Sequence, residues 1–432
     1  MSNYLQRLLS SKTVKNFLVY GFGQAVNLIS PLLITPYLIY TCGLDKLGII
    51  AIGQALAFIL IVFVDYSSYI IGVKEISINR NEHSQLQELF ATIYAAKAVL
   101  LAVVLGISTL LIFTIPYFSK YTLAYLFSLT IILGQFINPT WFFQGVENFK
   151  WITIINVFSK VLYVGGVLLF VHTPYDYIYA NLCLGLGAIL ANLMGLIYIL
   201  KTFGFSLRRY SNSSVKALLV RDFSFCVSQF FFAVRNYSAV MIIGFFAGDF
   251  VAGKFKVIEQ IINLLRTYLQ MFFKFSYSYV CFEIDQNFQK GLQLWRKYNQ
   301  LNYLFLLSLV VALFVFSAQT LHFFRVETSL LPAFESYLEL ALFIPLLIGI
   351  TLPLEQLLFS LNQNKVYVRL TIGTTVLNTL LVSIAMKFFE LTQVFIFLIA
   401  TEMALIICYY LVLRPSFQQI KKVKFNKTNP YV

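Results

Sequence analysis

Apolar runs of about 20 residues, the length that carries a helix across a bilayer core, recur along this chain from Val14 to Leu413. One of them, Leu47 to Val64, holds no Asp, Glu, Lys or Arg across eighteen residues. Lipid offers such a run no partner for its backbone amides, so the run must close its hydrogen bonds within itself, as a helix does. Reading the runs against the polar breaks gives spans near 14–40, 47–72, 91–115, 122–143, 152–172, 178–200, 222–247, 251–281, 299–320, 335–360, 367–388 and 393–413. The chain is therefore expected to be an all-α polytopic membrane protein with about twelve transmembrane helices. The first hydrophobic run continues well past the length of a signal-peptide core. The polar stretches between runs are too short to house a separate extramembrane domain.

Composition agrees. Hydrophobic residues make up 59% and charged residues only 12%, against about 25% charged in a soluble domain. The five cysteines are scattered, mostly in apolar runs, with no Cys-x-x-Cys pair, and read as small hydrophobes. A net charge of +14 would suggest a nucleic-acid partner in a soluble protein, but here it is sided. With a cytoplasmic N-terminus, 21 Lys and Arg fall in inner segments and 4 (Lys46, Lys120, Arg325 and Lys387) in outer ones. The positive-inside rule then places both termini in the cytoplasm, and no nucleic acid is needed to explain the charge.

The chain also reads as two related halves. Gly43-Leu44-Asp45 followed by Gly48 recurs as Gly248-Asp249 followed by Gly253, an offset of 205. Pro139 precedes Lys150 by eleven residues near the inner end of span 4, and Pro353 precedes Lys365 by twelve in span 10. The expected organisation is a six-helix lobe over 1–200, a basic cytoplasmic linker over 201–221, a second six-helix lobe over 222–413 and a basic tail over 414–432. Duplication of this kind is a transporter signature.

The polar residues inside the spans point to function. In span 8, Lys256, Glu259, Asn263, Arg266, Gln270 and Lys274 are spaced 3, 4, 3, 4 and 4, which puts all six on one helical face. Lipid cannot solvate that face, so it must meet protein or a water-filled cavity; an amphipathic helix lying on the membrane surface is the other reading. Shorter stripes occur in span 1 (Tyr20, Gln24, Asn27, Pro31), span 2 (Asp65, Ser68, Gly72) and span 7 (Ser224, Ser228, Arg235, Ser238). Helix–helix hydrogen bonding accounts for the Ser and Asn positions without any function. It does not account for the charges.

Asp65, Lys97 and Lys160 lie at similar depth from the inner ends of their spans, so they are expected to form one layer in the N-terminal lobe, with Asp65 paired to one of the two lysines. Arg235 and Arg266 lie nearer mid-membrane in the C-terminal lobe. Basic residues outnumber acidic ones within the spans, which favours an anion, and Arg suits phosphate because its planar fork pairs two oxygens at once. Pro31 and Pro36 are expected to break span 1, as a hinge or as a fixed kink. No catalytic constellation is visible: His83, His172 and His322 are far apart and no metal-ligand spacing occurs, so neither a metal nor a cofactor is expected.

The run Ser30-Pro31-Leu32-Leu33-Ile34-Thr35-Pro36-Tyr37-Leu38, with Gly43-Leu44-Asp45-Lys46-Leu47-Gly48 after it and Asn138-Pro139-Thr140-Trp141-Phe142-Phe143-Gln144-Gly145-Val146-Glu147 at the end of span 4, resembles the O-antigen (repeat-unit) flippases of bacterial polysaccharide assembly. That family belongs to the multidrug/oligosaccharidyl-lipid/polysaccharide exporter superfamily. The likeness covers nearly the whole chain in length and span count; the second half matches less well, since Pro353-Leu354-Glu355-Gln356 lacks an aromatic pair. The resemblance implies two pseudo-symmetric six-helix lobes in a V, with spans 1, 2, 7 and 8 lining a central cavity. It further implies alternating access in the bacterial inner membrane. The cargo would be an undecaprenyl-pyrophosphate-linked oligosaccharide, and the partners a polysaccharide polymerase and chain-length machinery.

On this reading Arg235, Arg266, Lys97, Lys160, Asn263, Gln270, Lys274, Asn27 and Gln24 would line the substrate path. Asp65, Glu259, Pro31 and Pro36 would serve coupling or gating. A cation-coupled multidrug exporter of the same fold is the competing reading, and it fits a basic cavity less well. A membrane polysaccharide polymerase or ligase is a third, disfavoured by the short outer loops, of which the longest is about 321–334.

Overall fold

The computed structural model describes the backbone of residues 12–361 and 363–428, and the side chains of residues 21–414 apart from Lys274, Phe275, Ser278, Tyr279, Phe282, Asp285, Asn362 and Asn364. The sequence-expected position of Lys274 on the span-8 face therefore lies outside the described side chains, as do the chain ends on which the placement of the termini depends. Every regular element among the described residues is helical. In order these are α1 (Lys12–Asp65), a π-helical turn (Ser68–Gly72), α2 (Val73–Ile78), α3 (His83–Thr114), α4 (Pro116–Ser119), α5 (Thr122–Ile137), α6 (Thr140–Gly145) and α7 (Phe149–Phe170). After a short 3₁₀ turn follow α8 (Ile178–Phe203), α9 (Asn212–Ala247), α10 (Asp249–Gln286), α11 (Phe288–Val315), α12 (Ser317–Phe323), α13 (Leu331–Ala341), α14 (Phe343–Ser360), α15 (Asn364–Phe388) and α16 (Leu391–Thr428).

Ten helices among the described residues are long and apolar enough to cross a membrane. The first of them covers two spans: α1 has 54 residues with non-helical angles at Gly43, and at about 1.5 Å per residue it far exceeds one bilayer crossing. The polar-faced α10 supplies the remaining span, so the protein is an all-α polytopic membrane protein with about twelve crossings. One expectation is corrected. Pro31 and Pro36 sit inside α1 without breaking it, and Gly43 is where the angles leave the helix. Proline's fixed φ suits a helix; what it removes is one donor, which neighbouring groups in a bundle can make good.

The chain divides into two compact units, Met1–Gly253 and Lys254–Val432. In the first, α8 packs on α5 and α7, and both arms of α1 pack on α5, α7 and α9. The contact of α5 with α8 is backbone-close: a Cβ on Gly185 would lie 1.9 Å from Thr130 Oγ1. Small residues admit such approach, which is how helices gain contact where lipid supplies no hydrophobic drive. Asn181, 3% exposed, ties three helices together: it donates to the Ile50 carbonyl at 3.0 Å and to Ser128 Oγ at 2.8 Å, and accepts from Gln54 at 3.0 Å. Trp141, Phe142 and Phe143 are fully buried among Phe90, Tyr94, Phe203 and Phe205. The loop between α8 and α9 is confined to 204–211, and Asn212 to Arg221 already belong to α9.

The second unit centres on Val280, Leu357, Leu358, Leu405 and Tyr409, which join α10, α14 and α16. Polar bonds brace it: Gln356 donates to Ser276 Oγ at 2.9 Å, Tyr268 to Asn302 at 2.6 Å, Trp295 to the Pro353 carbonyl at 3.0 Å and Tyr409 to Glu355 at 3.2 Å.

The glycines that suggested duplication behave alike. Gly43 has φ 84° and ψ 170°, and Gly248 has φ 87° and ψ 172°, backbone conformations that L side chains seldom adopt. Their companions pack backbone against backbone: a Cβ on Gly48 would stand 1.9 Å from the Asp249 carbonyl oxygen, and one on Gly253 1.9 Å from that of Leu44. Gly48→Val or Gly253→Val is expected to lower the thermal midpoint of the detergent-solubilised protein by roughly 3–6 °C, the cost of overpacking. Gly106→Ala, facing open space, should leave the midpoint unchanged; equal midpoints for all three variants would refute the close contact.

Candidate functional site

In the first unit the break in span 2 organises the polar groups. α1 ends at Asp65; Tyr66 then takes φ 54°, uncommon for a non-glycine residue, and the chain passes through the π-helical turn before re-entering α2. Such turns and left-handed residues cost free energy and persist where neighbours hold them. The neighbours are on the page. Tyr66 donates its hydroxyl to the Leu219 carbonyl, and Ser67 donates to Asp222 Oδ2. Asp222, 1% exposed, also accepts from Arg221 Nε at 2.7 Å, and Arg221 reaches Glu75 on α2.

Directly above this break lies an ion pair. Lys97, 1% exposed on α3, donates from Nζ to Asp65 Oδ1 at 3.1 Å and to the Gln135 carbonyl at 3.4 Å. Gln135 Nε2 donates to the second carboxylate oxygen at 2.7 Å and to Tyr69 Oη at 3.1 Å. Asn138 Nδ2 donates to the same phenol oxygen at 2.6 Å and to Gln135 Oε1 at 3.2 Å. The Asn138-Pro139 step ends α5 and turns Asn138 Oδ1 back onto the Thr140 amide at 2.9 Å, fixing the amide side chain. The carboxylate is thus met by a cation and an amide on its two oxygens, the condition for keeping a charge out of water.

The three-residue layer expected from depth is reduced to two. Lys160 is not paired with Asp65: its ammonium lies 5.9 Å from the centroid of the Tyr163 ring, and it has no ion-pair partner among the described residues. Equal depth did not bring it to the same place because α7 packs on α1 and α8, whereas Lys97 rides on α3, which faces α5. Gln135, Tyr69, Asn138, Ser67 and Asp222 are the residues that sequence reasoning passed over. The neutral ones carry no signal in composition, and Asp222 stands beside Arg221 at the expected edge of span 7. Two adjacent opposite charges at a span boundary were the available clue.

Arg235, Gln24 and Asn27 are half-buried on α9 and α1. In the second unit the polar face of α10 is laced along itself. Lys256 Nζ pairs with Glu259 Oε2 at 2.9 Å, and Arg266 Nη1 donates to Asn263 Oδ1 at 3.1 Å. Glu259 is 7% exposed; Asn263, Arg266 and Gln270 remain half-buried, so the upper part of this face presents donors and a cation. Among the described residues no group of three or more His, Cys, Asp or Glu is arranged to hold a metal.

Twelve or so crossings, backbone-close helix contacts and charged groups held within the spans define a multi-pass membrane transporter. Solved structures agree on the fold. An inward-facing multidrug-resistance MATE family transporter of the MOP superfamily aligns over 94% of this chain and 95% of its own, at 15% identity and a TM-score of 0.67. A MOP superfamily transporter from Pyrococcus furiosus Vc1 (DSM3638) aligns over 94% and 95%, at 16% identity and a TM-score of 0.58. An Escherichia coli (strain K12) protein named "Putative O-antigen transporter" is 24% identical over 392 residues, 90% of this chain and 93% of its own length. The model of the Polysaccharide biosynthesis protein family matches residues 13–278, and the chain belongs to that family.

Removing one member of a buried pair costs about 3–5 kcal/mol. Lys97→Met is therefore expected to reduce the amount of folded protein in the membrane severalfold. Lys97→Met combined with Asp65→Asn should restore most of it, since no bare charge is then left. Lys160→Met should have little effect. Quantitative membrane immunoblots and detergent melting curves check this; a double variant no better than Lys97→Met would contradict the assigned pairing.

Proposed function

We propose that the protein is a flippase. It moves an undecaprenyl-pyrophosphate-linked oligosaccharide repeat unit, as used for O-antigen or a similar surface polysaccharide, from the cytoplasmic to the outer face of the inner membrane. The observation that carries the reading is the near full-length similarity to a relative named for O-antigen transport. The chemistry of the spans supports it. Seven Lys and Arg lie within the expected spans (Lys97, Lys160, Arg235, Lys254, Lys256, Arg266, Lys274), and a basic lining attracts a diphosphate while repelling organic cations. In this proposal Arg235 and Arg266 hold the pyrophosphate, and Gln24, Asn27, Lys97, Lys160, Asn263, Gln270 and Lys274 line the path. The polyprenyl tail stays in lipid.

Two six-helix lobes joined by the basic segment 201–221 would alternate access, and the strained turn after Asp65 is a natural place for span 2 to flex. Asp65 and Glu259 are proposed as coupling carboxylates, each holding or releasing its lysine as the surroundings change. A second reading, a cation-coupled multidrug exporter, is favoured by the likeness to MATE structures and by the buried carboxylates Glu259 and Glu402.

Deletion and complementation in the source cell separate the two readings. A flippase predicts loss of surface polysaccharide with unchanged drug susceptibility, and the exporter predicts the reverse. Arg235→Gln and Arg266→Gln should each cut surface polysaccharide at least tenfold at normal protein level, with Lys restoring part of it because charge returns without the fork. Full export by the double Gln variant would reject the assignment of these two arginines. A reporter fused after Arg414 should be cytoplasmic and one within 173–177 external; the opposite result at either site would overturn the proposed orientation.

A further inference from the structure

A cavity of about 540 Å³ lies in the second unit between α11 and α14. We propose that it binds one anionic glycerophospholipid of the leaflet at the basic end of the unit. The lining is graded as an amphiphile requires. Arg296 and Lys297 stand at one end, both exposed, and neither has an ion-pair partner among the described residues. Further along α11 come Leu301 and Leu304, 57% and 62% exposed, and across from them on α14 Ile350, 38% exposed.

Register explains the grading. Arg296 and Leu304 are two helical turns apart, as Lys297 and Leu301 are one, so headgroup ligands and chain contacts share a face over a rise of about 12 Å. The far wall is held in place. Trp295 donates its indole N–H to the Pro353 carbonyl at 3.0 Å, and Asn299 bonds both the Trp295 carbonyl and Gln356. Gly349 forms the floor, where a Cβ would stand 2.7 Å from Leu306; the missing side chain leaves the cleft between the helices open.

Charge selects the occupant. At this end of the unit lie Lys290, Arg296, Lys297, Lys365 and Arg369, whereas Glu327, Glu335, Glu339 and Glu390 lie at the other. Basic pockets between transmembrane helices at such an end hold anionic headgroups. A free anion would use the two cations but leave the apolar stretch empty, and a zwitterionic lipid would fill the stretch but bring no net charge. The inference does not depend on the cargo, because the cleft belongs to the second unit alone.

The test is binding of phosphatidylglycerol to the purified full-length protein in detergent, followed by native mass spectrometry and by melting temperature. Phosphatidylglycerol should bind and raise the midpoint; phosphatidylcholine and inorganic phosphate should not. Arg296→Gln with Lys297→Gln should weaken phosphatidylglycerol binding about thirtyfold, from about 1 kcal/mol per basic group. The charge-keeping pair Arg296→Lys with Lys297→Arg should retain binding, as should Arg325→Gln with Lys387→Gln at the opposite end. Unchanged binding by the Gln pair, equal stabilisation by phosphatidylcholine, or a shift reproduced by inorganic phosphate would each overturn the proposal.

Discussion

Lipid solvates no dipole, and the architecture follows from how each departure from helix is covered by a side chain. Where α1 stops at Asp65, Tyr66 and Ser67 reach across to Leu219 and Asp222 on α9. Where α5 stops, Asn138 turns onto the Thr140 amide. Near Gly248, Tyr117 reaches Asp249 at 2.6 Å. Unpaired, such groups would cost several kcal/mol each in hydrocarbon. The breaks and their polar partners are thus one design, and the partners bring charge into the membrane only where backbone already needs it.

The same coverage makes the Asp65 cluster more than a salt bridge. A carboxylate, an ammonium, two amides and a phenol share bonds across α1, α3, α5 and the π-helical turn. Withdrawing one member changes the satisfaction of the others, so the cluster responds as a unit. It also rests on the aromatic block of Trp141, Phe142 and Phe143, since Tyr94 of that block bonds the Ile137 carbonyl at 2.9 Å. Packing at the foot of span 4 thereby fixes the position of Gln135 and Asn138.

Much of the fold was legible because lipid imposes a single rule on every span: long apolar runs became helices with ends shifted by a few residues. Gly43 and Gly248 were legible as repeats, since a positive φ leaves glycine as the ready choice. The lysine partner of Asp65 was narrowed to two by depth, but depth ignores which helix faces which, and only packing separates Lys97 from Lys160. Pro31 and Pro36 misled because a helix tolerates proline's φ and loses only a donor. Gln135, Tyr69 and Asn138 carry no charge, so nothing in the sequence marked them as the groups that complete a buried carboxylate.

The π-helical turn has a bearing on how this span tolerates change in length. Ile71 and Gly72 both bond back to the Ser67 carbonyl, at 2.9 and 3.3 Å, so one more residue is wound into the turn than an α-helix would hold. That extra residue acts as a phase shifter. It advances everything after it by about 100° of helical rotation, and in this phase Glu75 meets Arg221 while Ile76 is buried. Losing one residue between Ser68 and Gly72 would leave hydropathy and length almost unaltered, yet it would swing Ile76 out of its core and Glu75 away from its arginine. Span 2 is therefore keyed by residue count as well as by residue type.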